Sequence, residues 1–297
     1  MRAPVLDSAA EVEQIVRNLL RESKAWGKFP TPVDDLASYS RLVIDRGIDL
    51  RTIHPGFIPR QLEHLQSALR KILGVIDRRE RKIYLDHSMS PSRAAFVKLH
   101  EIGHDVLPWQ AINLGYSDDE KTISPEAPEL FEREASFFAS AALFQLERFD
   151  ESLNTLPLSF DSIRVLAEKF GASVHATARR YVERCPKRCA LLVFNPPVSR
   201  TAPCLMPVRN CFESPSFTEH FGQLAVPDVC DSTHPFVQDI LRGRRLHDKG
   251  VVTLATARVT SLQLNYHFFN NSYNSFVFML PPGENMKSRV TIINRAT

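Results

Sequence analysis

Residues 90–108 constrain this chain more than any other segment. Ser90-Pro91-Ser92 offers a cap and a first-turn proline, and Pro108 closes the stretch, so the pattern predicts a helix ending at about Val106. At about 100° per residue, Ala95, Ile102 and Val106 fall within roughly 60° of Leu99. His100, Glu101 and His104 fall roughly 100–200° away from it. An apolar face and a chemical face therefore oppose each other. Such a helix is expected to turn one side into a core and the other toward a cleft.

The chemical face reads His100-Glu101-Ile102-Gly103-His104. Residues four apart on a helix lie one turn above each other, so two imidazoles at this spacing can converge on one Zn²⁺. The glutamate after the first histidine reaches the side of the pair, where it can take a proton from a water and pass it to a leaving amine. The competing reading is two surface histidines on an amphipathic helix with Glu101 solvated. A hydrolytic zinc needs three protein ligands and one open position. The next strong helical pattern supplies Glu132, 28 residues after His104, with Ser136 one turn later on the same face. Ser136 can hydrogen-bond the back of a ligand histidine. Phe131, Ala135, Phe138 and Ala142 form the flanking apolar stripe. Glu134 is the rival ligand. It lies toward the apolar side, where burial demands a partner, and it could instead brace a ligand from behind. Helix geometry favours Glu132.

Around this core the pattern predicts helices over 8–24 and over Asp34–Ile44, separated by Pro30-Thr31-Pro32. Two short apolar runs, Ile72–Ile76 and Ile83–Leu85, flank the charged stretch Asp77–Lys82 and read as a hairpin whose edge could hold an extended peptide. Gln110–Pro128 reads as polar and irregular, Glu129 to about Glu147 as helix, and Leu158–Glu183 as helix, turn, helix around Phe170-Gly171-Ala172-Ser173. Strand-like runs follow at Ala190–Phe194, Val251–Ala257, Leu262–Phe269, Phe276–Leu280 and Val290–Ile293. The expected partition is a zinc metallopeptidase domain at 1–157, a helix-turn-helix-like pair at 158–188 and a C-terminal α+β domain at 189–297. The change of character falls near 186–198.

The helical pair is followed by Arg179, Arg180, Arg184, Lys187 and Arg188, a set that could touch phosphates. The reading favoured here is a packed helical hairpin with a solvated basic edge. With 37 Lys+Arg against 34 Asp+Glu, the net charge of +3 does not point to nucleic acid or an anionic membrane as the main partner. No apolar run reaches the roughly 20 residues of a membrane span. Asp7, Glu11 and Glu13 stand where a signal peptide would be apolar, and the five cysteines all lie between Cys185 and Cys230, so the expected setting is the cytoplasm. Cys185-Pro186-Lys187-Arg188-Cys189 lacks a second cysteine pair at zinc-finger spacing. Tyr116 and His175 are candidates for stabilising an oxyanion.

The sequence His100-Glu101-Ile102-Gly103-His104, followed by Glu132-Arg133-Glu134-Ala135-Ser136-Phe137-Phe138-Ala139, resembles the ImmA/IrrE family of zinc metallopeptidases. The hairpin, the helix start at Arg93 and Phe29-Pro30-Thr31-Pro32-Val33 also resemble that family, over residues 10–185. The resemblance implies an α+β, zincin-like fold, Glu132 as third ligand beside His100 and His104, one zinc per chain, and a gluzincin-like endopeptidase with Glu101 as catalytic base. It further implies a protein substrate, a helix-turn-helix transcriptional repressor, whose cleavage releases genes. The C-terminal third is faintly similar to sensor-like domains of longer members, which implies a regulatory, sensor-like role for 189–297. Two departures stand out: Ser136 replaces a usual Asn, and Ala142-Leu143-Phe144-Gln145 replaces a usual Leu-Leu-Met-Pro. The alternatives from other classes are a DNA-binding or scaffold regulator without catalysis, and a toxin–antitoxin component on the same fold.

Overall fold

The computed structural model describes residues 6–45, 74–110, 127–196 and 205–284. The chain divides into two compact units, Met1–Phe149 with Glu168–Ser173, and Asp150–Ala167 with Val174–Thr297. The expected α+β class is what the structure has.

In the first unit, α1 (Ala9–Glu22) buries Val12, Val16, Leu19 and Leu20, its helical apolar stripe. It ends where Lys24 turns left-handed at φ 59° and the Ala25 N–H donates back to the Leu20 carbonyl at 2.8 Å. Helix α2 (Val33–Tyr39) stops well short of the expected Ile44. Arg41 takes φ 57° and the Leu42 N–H closes on the Ala37 carbonyl at 2.9 Å, so the chain leaves as strand β1 (Val43–Asp45). The hairpin forms as β2 (Gly74–Asp77) and β3 (Lys82–Leu85), with Asp77 Oδ1 accepting the Arg79 and Glu80 backbone N–H groups across the turn. Sheet order is β1-β3-β2, with β1 parallel and β2 antiparallel to β3.

Two longer helices complete the unit, α3 (Pro91–Val106) and α4 (Ala127–Phe144), and they pack on each other. Gly103 makes the approach close: a Cβ there would lie 3.0 Å from Phe138 Cδ1. Helix α4 ends at Phe144, before the expected Glu147, because Gln145 and Leu146 are both left-handed, at φ 50° and 52°. The fully buried Gln145 side chain donates to the Ala25 and Lys28 carbonyls and to Thr31 Oγ1, and accepts from the Gly27 N–H. One amide thus satisfies the backbone of the loop after α1, which a proline at this position could not do.

The second unit contains α6 (Phe160–Phe170) up to Ala167 and α7 (Val174–Arg184); α5 (Glu147–Asn154) precedes them and straddles the two units. Its strands are β4 (Ala190–Phe194), β5 (Met206–Glu213), β6 (Leu224–Ala225), β7 (Val229–Cys230), β8 (Leu246–Thr256), β9 (Leu262–Asn270) and β10 (Ser275–Leu280). They form one antiparallel sheet in the order β6-β8-β9-β10-β4-β5-β7. Helices α8 (Pro215–Phe221) and α9 (Pro235–Leu241) pack on one face, where Phe217, Phe236 and Val237 meet Leu264, Tyr266, Phe268, Val277 and Met279. Alternation sends Phe276 and Phe278 to the opposite face, against Phe160 and Tyr181. With both faces covered, β4 and β10 are buried at every residue, which is why they read as continuous apolar runs. The composition change near 186–198 lies inside this unit. The apolar run Val290–Ile293 lies outside the described residues.

Candidate metal centre

Helix α3 brings His100 and His104 onto one side, one turn apart, and α4 supplies Glu132 opposite them. His100 Nε2 and His104 Nε2 are 3.0 Å apart. Glu132 Oε2 lies 3.2 Å from His100 Nε2, and Oε1 lies 3.4 Å from His104 Nε2. Among the described residues this is the group of three that could hold a metal ion. Donor atoms about 2.05 Å from a tetrahedral ion stand about 3.3 Å from one another, so the three edges fit such an ion. The chemistry of the atoms fits as well. Two ring nitrogens face each other, and Glu132 Oε2 is buried yet not aligned for a hydrogen bond, despite its closeness to His100. Lone pairs converging in this way suit a shared cation.

Glu101 is almost fully buried, at 5% exposure, and its carboxylate accepts the Ile76 N–H from β2. Burial raises its pKa; the neighbouring His100 and His104 pull in the other direction without prevailing. At Glu132 the balance reverses. Burial pushes its carboxyl up, but the two imidazoles outweigh burial and hold it at about 2. At His104, burial opposes charge, while Glu132 and Glu101 overcome it and raise the pKa. The chemical face of α3 is therefore not an open cleft wall over the described residues. It is buried against β2 and α4, because the neighbouring glutamates and imidazoles compensate one another there.

Behind the three candidate ligands lies a second layer of polar groups. Ser136 Oγ is 3.4 Å from His100 Nδ1. His104 Nδ1 faces Gln110 Oε1 at 2.8 Å. Glu134 is buried and does not join the ligand triangle. It accepts from Ser8 Oγ at 2.5 Å, Trp109 Nε1 at 2.7 Å and Gln110 Nε2 at 2.8 Å, which supplies the partners its burial demands. Arg78, from the hairpin turn, donates to the His104 carbonyl. Arg81 grips Asp105 with both terminal nitrogens and holds the hairpin to the end of α3. Gln110, Trp109, Ser8 and Arg78 escape the sequence because none stands at a spacing that ties it to the His100–His104 pair. Tyr116 lies outside the described residues. His175 belongs to the second unit, where its ring meets Phe212 and Phe276.

With this geometry in place, residues 64–181 match the family model of the IrrE N-terminal-like domain, peptidase family M78. The segment belongs to that family. The match supports a metallopeptidase-type enzyme, in line with the resemblance read from the motifs. Among solved structures, the chain is similar to a Mycobacterium tuberculosis transcriptional regulator at 11% identity and a TM-score of 0.53, over 92% of this chain and 77% of that one. At that identity the likeness is one of fold. No curated protein matches the sequence. Among the described residues, no helix is long and apolar enough to cross a membrane.

Proposed function

We propose that this IrrE N-terminal-like protein is a zinc-dependent endopeptidase that cuts a regulatory protein in the cytoplasm, with a helix-turn-helix repressor as substrate. The observation that carries the reading is the convergence of His100, His104 and Glu132 beside a buried Glu101. The residues that would hold the ion are these three, one per corner of the triangle. When bound, zinc supplies Lewis acidity, polarising a carbonyl and letting a water lose its proton near neutral pH. Glu101 is the proton carrier. Its burial and raised pKa suit a carboxyl that must both accept a proton from water and deliver it to the leaving amine. Among the described residues, strand β2 is an edge of its sheet, as expected if an extended peptide adds there as a further strand.

Two features weigh against the DNA-binding alternative. Helix α7 buries Thr177, Ala178, Tyr181 and Val182, and Arg179 and Arg184 pair with Glu183 and Asp150. In this reading the segment 189–297 serves control or substrate capture. The test is Glu101→Gln. Zinc content by elemental analysis should stay at about one per chain while repressor cleavage falls by about 10²–10⁴-fold. Undiminished cleavage in this variant overturns the mechanism, and a wild-type protein without zinc overturns the site.

A further inference from the structure

We propose that Glu134, acting through Gln110, fixes His104 as the imidazole protonated on Nδ1, with its Nε2 lone pair aimed into the ligand triangle. This inference deepens the metal-site reading, but its primary test needs no metal.

The logic is one of donors and acceptors. Gln110 is fully buried, and its two amide ends differ: the nitrogen only donates and the oxygen only accepts. One end faces two acceptors, Glu134 Oε2 at 2.8 Å and the Phe131 carbonyl at 3.2 Å. That end must be the NH₂. The oxygen is therefore turned to His104 Nδ1, 2.8 Å away, and Nδ1 must carry the hydrogen. A neutral imidazole protonated there leaves Nε2 with a free lone pair, 3.0 Å from His100 Nε2 and 3.4 Å from Glu132 Oε1.

Each link of the relay is held in turn. Glu134 is oriented by Trp109 on Oε2 and Ser8 on Oε1. Arg78 reaches the carbonyls at both ends of the segment that carries Gln110, those of His104 and Gln110 itself. The contrast with His100 sharpens the point. Its Nδ1 faces the Ser136 hydroxyl at 3.4 Å, a group that can donate or accept and so dictates nothing. Of the two histidines, only His104 has its tautomer chosen by the protein. Gln110 and Glu134 are thus positioning residues, acting on the metal only through His104.

The experiment is ¹⁵N-histidine NMR on the full, metal-free chain at a pH of about 9, above the imidazole range, followed by Zn²⁺ titration. Wild-type His104 should be protonated on Nδ1; protonation on Nε2 overturns the proposal. Gln110→Leu should give a mixed tautomer and weaken zinc about 10- to 100-fold. Glu134→Leu leaves the Phe131 carbonyl as the one acceptor holding the amide and should weaken binding in the same direction. Glu134→Gln is the rescue. Its carbonyl can replace Oε2 toward Trp109 and Gln110, and its NH₂ can donate to Ser8 Oγ. It should bind within about threefold of wild type, since no hydrogen bond is lost. If Glu134→Gln binds as poorly as Glu134→Leu, the carboxylate's charge matters and the relay is wrong. If the leucine variants do not fold, the wild-type tautomer and Glu134→Gln still decide. A wild type that shows Nδ1–H but binds no zinc refutes the metal reading and leaves the relay standing.

Discussion

Glu132 in the first unit and Asp239 in the second are both acidic groups set beside imidazole, and they differ in what surrounds their oxygens. Asp239, 2% exposed, has both oxygens engaged: Arg244 donates to Oδ1 at 2.8 Å, while His247 Nδ1 and the Tyr266 hydroxyl donate to Oδ2 at 2.9 and 2.8 Å. Every donor points at an acceptor, and the cluster is complete in itself. At Glu132 the neighbours are ring nitrogens that also face each other, and Oε2 has no hydrogen bond. A buried polar cluster that closes on itself is a structural device. One whose lone pairs converge is a receptacle.

The widest separation between the two clusters should come from paired substitutions. Glu132→Ala is expected to abolish the rise in Tm that added Zn²⁺ gives, while changing the metal-free Tm little. Asp239→Ala is expected to leave that rise intact and to cost about 1–3 kcal/mol, because the buried Tyr266 hydroxyl and the half-buried Arg244 and His247 lose their acceptor. Metal-dependent thermal unfolding of both variants checks this, and the comparison breaks if the two behave alike. A smaller effect is expected at Gly103→Ala. Its new Cβ meets Phe138 and pushes α3 from α4, costing about 1–3 kcal/mol and loosening zinc through the Glu132 distance. Denaturant unfolding beside a zinc titration should show both losses in one variant.

The smallest is a pH slope. Burial, reinforced by the Asp239 hydrogen bond, raises the Tyr266 phenol above its ordinary value. The folded chain then keeps a proton that the unfolded chain loses at about pH 10. The stabilisation is complete below that pH and declines above it. Tyr266→Phe should flatten the alkaline part of a stability-against-pH curve, leaving zinc binding unchanged. An unaltered slope would mean that the folded chain does not raise the Tyr266 phenol.

What the sequence made legible follows the strength of local patterns. The helix that holds His100 and His104, the α4 helix with Glu132, and the hairpin were all readable, because periodicity and proline placement act within a few residues. Strand β1 was not. Ile44 continues the apolar spacing of α2, and only the left-handed Arg41 ends the helix, a choice rewarded by pairing with β3. Strands β5, β6 and β7 and helices α8 and α9 were also missed, being short or interrupted by prolines. At the site, the candidate ligands announce themselves by spacing, whereas Gln110 and Ser8 reach it from segments whose relevance arises only in three dimensions.

The pairing of β4 with β10 has a consequence for how the chain is made. The two central strands of the larger sheet are separated by roughly 80 residues of sequence. At about 5–20 residues per second, Ala190–Phe194 leaves the ribosome several seconds before its partner Ser275–Leu280 exists. During that interval a short, uncharged and wholly apolar segment waits without its neighbour, the kind of segment from which misassembly starts. Yield in a cell should therefore depend on translation rate and on chaperone supply, even where the finished protein is stable.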